Sequence, residues 1–186
     1  MTTFYEAFML IQEPIFAANF LATAYQYNFS EYSYAELNRF NKITRRYDTG
    51  YIWPVNLRHI SSGWGWRPSP FGRSWEQRLR NLNFHNGIDI PGPTGMPVRA
   101  SEAGTVIISD GFPLGGESVF IQHDDGYITT YLHLDIRFVV EEEKVRQGQI
   151  IGLLGNTGQS TGAHLHFGMF DSNNRRSNPL NYLPVY

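Results

Sequence analysis

Gly155-Asn156-Thr157-Gly158-Gln159-Ser160-Thr161-Gly162-Ala163-His164-Leu165-His166-Phe167 runs from a glycine-punctuated turn into a strand that carries two histidines. Side chains alternate faces along a strand, so His164 and His166 point one way while Leu165 and Phe167 point the other. A strand with two imidazoles on one face and two large apolar groups on the opposite face lies between a polar centre and a core. The three glycines, with Ser160 and Thr161, make the approach a tight turn, either a plain hairpin turn or one kept small because a side chain there would crowd a bound backbone or displace the strand.

Working outward from this strand, short apolar runs recur at 98–100, 104–109, 118–123, 127–133, 149–154 and 164–170. Gly and Pro punctuate them, with turn signals at Pro91-Gly92-Pro93, Asp110-Gly111, Gly115-Gly116 and Asp125-Gly126. Runs of this length and spacing predict an antiparallel β-sheet or sandwich. The acidic run Glu141-Glu142-Glu143 reads as a solvated hairpin. Residues 1–50 have a different texture. Apolar residues gather at Phe4, Phe8 and Ile11 and again over 15–25, and Ser33-Tyr34-Ala35-Glu36 has the spacing of a helix capping box. The expected architecture is α+β: a helical N-terminal segment over 1–50 and a predominantly antiparallel β-sheet domain over 51–186.

Composition narrows the chemistry. Lys+Arg 15 against Asp+Glu 17 gives a net charge of −2, without the basic footprint of a nucleic-acid binder. The chain contains no cysteine, so any metal centre must be built from histidine and carboxylate. No stretch reaches the roughly 18 apolar residues of a membrane-spanning helix. The first basic residue is Arg39, so the positively charged start of an ordinary secretory leader is missing. Trp 4, Tyr 11 and Phe 13 supply ample apolar surface for a folded core.

Two further segments carry groups that can act with the paired histidines. His85-Asn86-Gly87-Ile88-Asp89 places an imidazole and a carboxylate four residues apart around a glycine, so both can turn toward one ion. Tyr131-Leu132-His133 lies in an apolar run, and strict alternation puts the phenol and the imidazole on one face. Taken together the three segments favour a metal site, while spacing alone selects neither the metal nor the reaction.

His85-x-Gly87-x-Asp89, Tyr131-x-His133 and the 155–167 segment resemble, in that order, the motif set of the lysostaphin/LytM-type zinc metallopeptidases. Ser61-Ser62-Gly63-Trp64-Gly65-Trp66-Arg67 resembles the family's entry to the domain. Gly95-Met96-Pro97-Val98-Arg99-Ala100 and Lys144-Val145-Arg146-Gln147-Gly148-Gln149-Ile150-Ile151-Gly152 resemble later strands. The resemblance covers about residues 58–181. It implies an endopeptidase that uses one Zn²⁺ per chain to cleave cross-link or stem peptides of bacterial peptidoglycan. It also implies zinc ligands His85, Asp89 and His166, and catalytic histidines His133 and His164. Peptidoglycan as substrate implies a periplasmic or other extracytoplasmic site of action, and the N-terminal helices are a candidate docking element for a regulatory partner.

The chain departs from the family pattern in two places. The segment 73–83 is longer and more basic than the expected link and is placed as one wall of the groove, with Trp64, Trp66 and Tyr131 lining it. Gly168-Met169 stands where relatives carry an acidic residue. The competing reading is a catalytically inactive module that binds or activates other wall hydrolases. It predicts missing ligands, whereas all five positions are filled. A carrier domain needs a modifiable lysine at a hairpin tip, and Lys144 is not in that context.

Overall fold

The computed structural model describes residues 50–71 and 74–184, so the helices expected within 1–49 lie outside the described residues. In chain order come β1 (Gly65–Pro68), helix α1 (Trp75–Arg80), β2 (Leu82–His85), β3 (Gly87–Pro91), β4 (Pro97–Arg99), β5 (Gly104–Phe112) and β6 (Gly116–His123). Then follow β7 (Ile128–Arg137), β8 (Lys144–Val145), β9 (Ile150–Leu154), β10 (His164–Phe170) and β11 (Arg176–Ser177). Strands β1 and β2 form a hairpin of their own, and the other nine belong to one sheet. Every pairing is antiparallel, as the sequence led us to expect.

The most apolar segments take the inner positions. The β9 sequence IIGLL is buried at every residue. In β10, Leu165, Phe167 and Met169 face the core and stack with Ile88 and Ile90 of β3 and with Tyr131 of β7. The Tyr131 and Phe167 ring centroids lie 5.4 Å apart. The Tyr131 hydroxyl is buried but satisfied, receiving the Ser101 N–H at 2.7 Å and lying 2.9 Å from the Thr129 hydroxyl. That network continues to the buried His123, whose Nε2 is 2.8 Å from Thr129 and whose Nδ1–H donates to the Ala103 carbonyl at 2.8 Å.

The turn expected at Asp110-Gly111 lies instead inside β5, and the chain reverses over Pro113-Leu114-Gly115. Pro113 has no N–H to offer the ladder, so pairing stops after Phe112. Asp110 satisfies the Gly111 N–H with its own carboxylate, which makes the pair look like a turn in sequence. Glu141 and Glu142 are exposed, in keeping with a solvated turn. Helix α1 has only six residues, none buried; Ser74 caps it by accepting the Gln77 N–H, and Arg78 ties it back to the Ser69 carbonyl.

Two measurements follow. Phe167→Ala removes a ring that is 1% exposed, and should cost about 3–5 kcal/mol in urea unfolding; a loss under about 1 kcal/mol would show that the core is not centred there. Burial holds the His123 pKa below its ordinary value, with the Ala103 hydrogen bond opposing that shift. The folded protein therefore keeps His123 neutral while the unfolded chain takes up a proton, and stability is lost as pH falls below about 6.5. The melting temperature should drop between pH 7 and 5 less steeply in His123→Asn than in the natural chain; equal slopes would exonerate His123.

Candidate metal centre

The register of β3 and β10 sets the centre. Asp89 and His166 are direct partners across that ladder, and His166 faces Leu132 of β7 on its other side. His85 ends β2, and the chain turns at Asn86 before entering β3, which swings the imidazole back over Asp89. The residue that opens β3 must be small. A Cβ on Gly87 would sit 2.6 Å from His166 Nε2 and 2.6 Å from the Phe167 carbonyl oxygen.

Three donor atoms converge. His85 Nε2 is 3.1 Å from Asp89 Oδ1 and 3.1 Å from His166 Nδ1, and His166 Nδ1 is 2.9 Å from Asp89 Oδ1. His85 Nδ1 is 2.7 Å from the Gly63 carbonyl, which only an N–H can satisfy, so Nε2 is the ring nitrogen turned to the centre. All three residues are under a tenth exposed. Burial alone would raise the Asp89 carboxyl, but hydrogen bonds and charge from His166 and His85 outweigh it and hold Asp89 well below the usual carboxylate range. His166 is pushed down by burial, against the pull of Asp89. Arg67 of β1 reaches the outer carboxylate oxygen, Nη2 to Oδ2, at 3.4 Å.

Two more imidazoles flank the cluster. His164, on the same face of β10, has its Nε2 3.6 Å from Asp89 Oδ1 and donates from Nδ1 to the Gly162 carbonyl at 2.7 Å. His133 lies with its ring centroid 4.8 Å from that of His164 and 6.1 Å from that of His166. Burial, first, and the neighbouring histidines push His133 down to about 4, although its bond to the Thr157 carbonyl works the other way. Both flanking rings thus commit Nδ1–H to a carbonyl and leave Nε2 as the other ring nitrogen, and His133 is neutral at neutral pH.

The structure corrects the expected Tyr131–His133 arrangement. Tyr131 is fully buried in the core and lines no groove. His133 takes a left-handed backbone, φ 64, at a register shift in the β6–β7 ladder, and this turns its ring to the site face. Trp64 and Trp66 stack edge-on against Phe84, which neighbours His85 in β2 and so faces the opposite side of the hairpin. Helix α1, within 73–83, buries none of its residues. At Gly168 a Cβ would meet Thr130 Oγ1 at 2.5 Å, which leaves no room there for an acidic side chain. Thr157, Arg67 and the Gly63 carbonyl were not read as site residues; only their place within the quoted motifs marked them.

The donor set fits a zinc ion. Two imidazoles and a carboxylate are ordinary catalytic zinc ligands, and tetrahedral ligands at ~2.0–2.1 Å lie about 3.3 Å from one another. The observed separations, 2.9 to 3.1 Å, are close to that edge. Among the described residues this trio is the group of histidine and acidic side chains arranged to hold a metal ion.

The model of Peptidase family M23 matches residues 83–179, more than half of the chain. The chain belongs to this family. Among relatives of this M23 peptidase, the peptidoglycan DD-endopeptidase ShyA of Vibrio cholerae serotype O1 is 48% identical over 83 residues, covering 45% of this chain and 19% of ShyA. A crystal structure of a zinc-containing peptidase from Vibrio cholerae superposes with a TM-score of 0.60 at 34% identity, over 70% of this chain and 39% of that one. The catalytic domain of lysostaphin from Staphylococcus simulans gives 0.56 at 29% identity, over 66% and 90%. The chain spans about a fifth to a quarter of the length of the first curated relatives it matches.

Gly87→Ala gives a direct check of the packing that seats His166. The added methyl collides with a backbone carbonyl as well as the ring, so zinc affinity should fall about 10–100-fold in chelator competition. An unchanged affinity in a folded variant would mean that His166 is free to move.

Proposed function

We propose that this M23 peptidase hydrolyses peptide bonds in the cross-links or stem peptides of bacterial peptidoglycan. One observation carries the reading: the convergence of His85 Nε2, Asp89 Oδ1 and His166 Nδ1, with two further imidazoles beside them. His85, Asp89 and His166 hold one Zn²⁺. Three protein ligands leave a coordination position open, as a catalytic rather than structural site requires. The ion supplies Lewis acidity, making water nucleophilic near neutral pH and polarising a carbonyl.

The remaining chemistry is proton movement by the chain's own groups. Peptide hydrolysis takes a proton from the attacking water and delivers one to the departing amine. His133 and His164, each with Nδ1–H committed to a carbonyl, offer Nε2 as the working atom. One accepts the proton, and the other hydrogen-bonds the oxyanion that develops on the scissile carbonyl or protonates the amine. Arg67 on the outer oxygen of Asp89 keeps Oδ1 turned inward. Such a substrate places the enzyme outside the cytoplasm, and none of the described helices is long and apolar enough to cross a membrane.

The bond to test first is the DD cross-link that the names of the relatives specify. The zinc-loaded chain incubated with purified sacculi of defined cross-link type should convert cross-linked muropeptide dimers to monomers, read by mass spectrometry. His166→Ala should abolish both zinc retention and cleavage. His133→Ala should keep its zinc and lose about 10²-fold or more in rate. Zinc-loaded protein that leaves every sacculus type intact overturns the enzyme reading in favour of an inactive binding module.

A further inference from the structure

Resting on the functional reading above, we infer that Thr157 is a positioning residue that fixes both the backbone and the tautomer of His133. Its hydroxyl accepts the Glu117 N–H at 2.9 Å and donates to the Leu134 carbonyl at 2.5 Å. Its own carbonyl accepts His133 Nδ1–H at 2.8 Å. One residue therefore grips the start of β6, the Leu134–Asp135 peptide one residue beyond His133, and the His133 ring.

His133 needs such a grip. A left-handed backbone at a non-glycine residue costs on the order of 1–3 kcal/mol and persists only where the surroundings over-determine it. The opposing restraint comes from the β5–β6 turn, whose Gly115 carbonyl accepts the His133 N–H at 2.8 Å. The same turn holds the 155–162 loop, since Gln159 N–H donates to the Leu114 carbonyl at 2.9 Å. Thr157 lies so tightly against this turn that a Cβ on Gly116, itself left-handed at φ 63, would overlap the threonine. The turn, the loop and the histidine close into a ring of hydrogen bonds, and the threonine hydroxyl fastens the loop to both flanking strands.

The chemical consequence concerns which nitrogen carries the proton. A neutral imidazole has two tautomers, and the hydrogen bond made by one nitrogen selects the state of the other. A carbonyl can only accept, so the Thr157 carbonyl selects Nδ1–H and leaves Nε2 bare. Thr157→Val keeps the shape but removes the hydroxyl that links the Glu117 N–H to the Leu134 carbonyl, so the peptide that holds Nδ1 loses its anchor.

The test uses the full chain labelled with ¹⁵N-histidine and long-range ¹H–¹⁵N correlation spectra at about pH 7.5, where an ordinary imidazole is neutral. The natural protein should show His133 with a protonated Nδ1 and a bare Nε2. Thr157→Val should show a mixed tautomer pattern, unchanged zinc content, and kcat on a soluble cross-linked peptide lower by on the order of 10²-fold. Its KM should stay within about twofold. Thr157→Ser, which restores the hydroxyl, should recover both the spectrum and the rate. A natural protein whose His133 carries its proton on Nε2 overturns the inference, and that spectrum decides even if the valine variant fails to fold. So does a valine variant that is slow with an unaltered His133 pattern, or a serine variant as slow as valine. Failure to cleave sacculi would overturn the functional reading alone, because the tautomer is read without substrate.

Discussion

Asp89 and His166 face each other across the β3–β10 ladder, and that pairing fixes where the centre lies. A register slip of one residue in either strand would send the ligands into the core and the apolar side chains into the site. What prevents the slip is burial. Leu165, Phe167 and Met169 on β10, with Ile88 and Ile90 on β3, are at most 1% exposed, and a one-residue slip would turn them out of the core. The hydrophobic effect acting on one face of the sheet thus sets polar geometry on the other. His85 joins through a separate device: β1 pairs Gly65 with His85, while Ser62 bridges to Asp89, so the hairpin is pinned to the sheet beside the carboxylate.

That geometry concentrates unfavourable electrostatics. Two imidazole nitrogens and a carboxylate oxygen lie within 3.1 Å of one another, all buried, and one positive charge between them would hold all three. Protonating an imidazole supplies one only against the desolvation that pushes His166 down. A divalent cation would supply it without that conflict, so folding and metal binding would stabilise each other at this site.

His164, His166 and the core-facing Leu165 and Phe167 were legible in the sequence because strand alternation is a rule of backbone geometry that tertiary context did not override. Six of the strands were legible as short apolar runs set between Gly and Pro turn signals. His133 was not. Alternation from Tyr131 assigns it to the core face, and only a left-handed residue at a ladder irregularity, which no local pattern announces, returns it to the site. The Asp110-Gly111 pair misled in the opposite sense, since a side chain satisfying a neighbouring N–H mimics turn chemistry within a strand. The aromatic wall anticipated at Trp64 and Trp66 failed because residue type fixes neither side of a hairpin; pairing with Phe84 does. The family motifs located the five candidate residues, but the contacts that hold them are made largely by backbone carbonyls, to which residue identity is nearly silent.

Those carbonyls explain the composition of the 155–162 loop. It supplies the acceptor for His133 through Thr157 and the acceptor for His164 through Gly162, so one loop orients both flanking imidazoles. A loop that works by presenting carbonyl oxygens in opposite directions must reverse sharply between them, which glycine permits; Gly158 does so at φ 69. Its side chains must be short and able to bind their own backbone, as Ser160 does by donating to Gly162. Large or charged side chains would compete for the space the histidines face. Glycine, serine and threonine at these positions are thus what the task leaves available, and the two histidines on the adjoining strand depend on them for direction, not only for room.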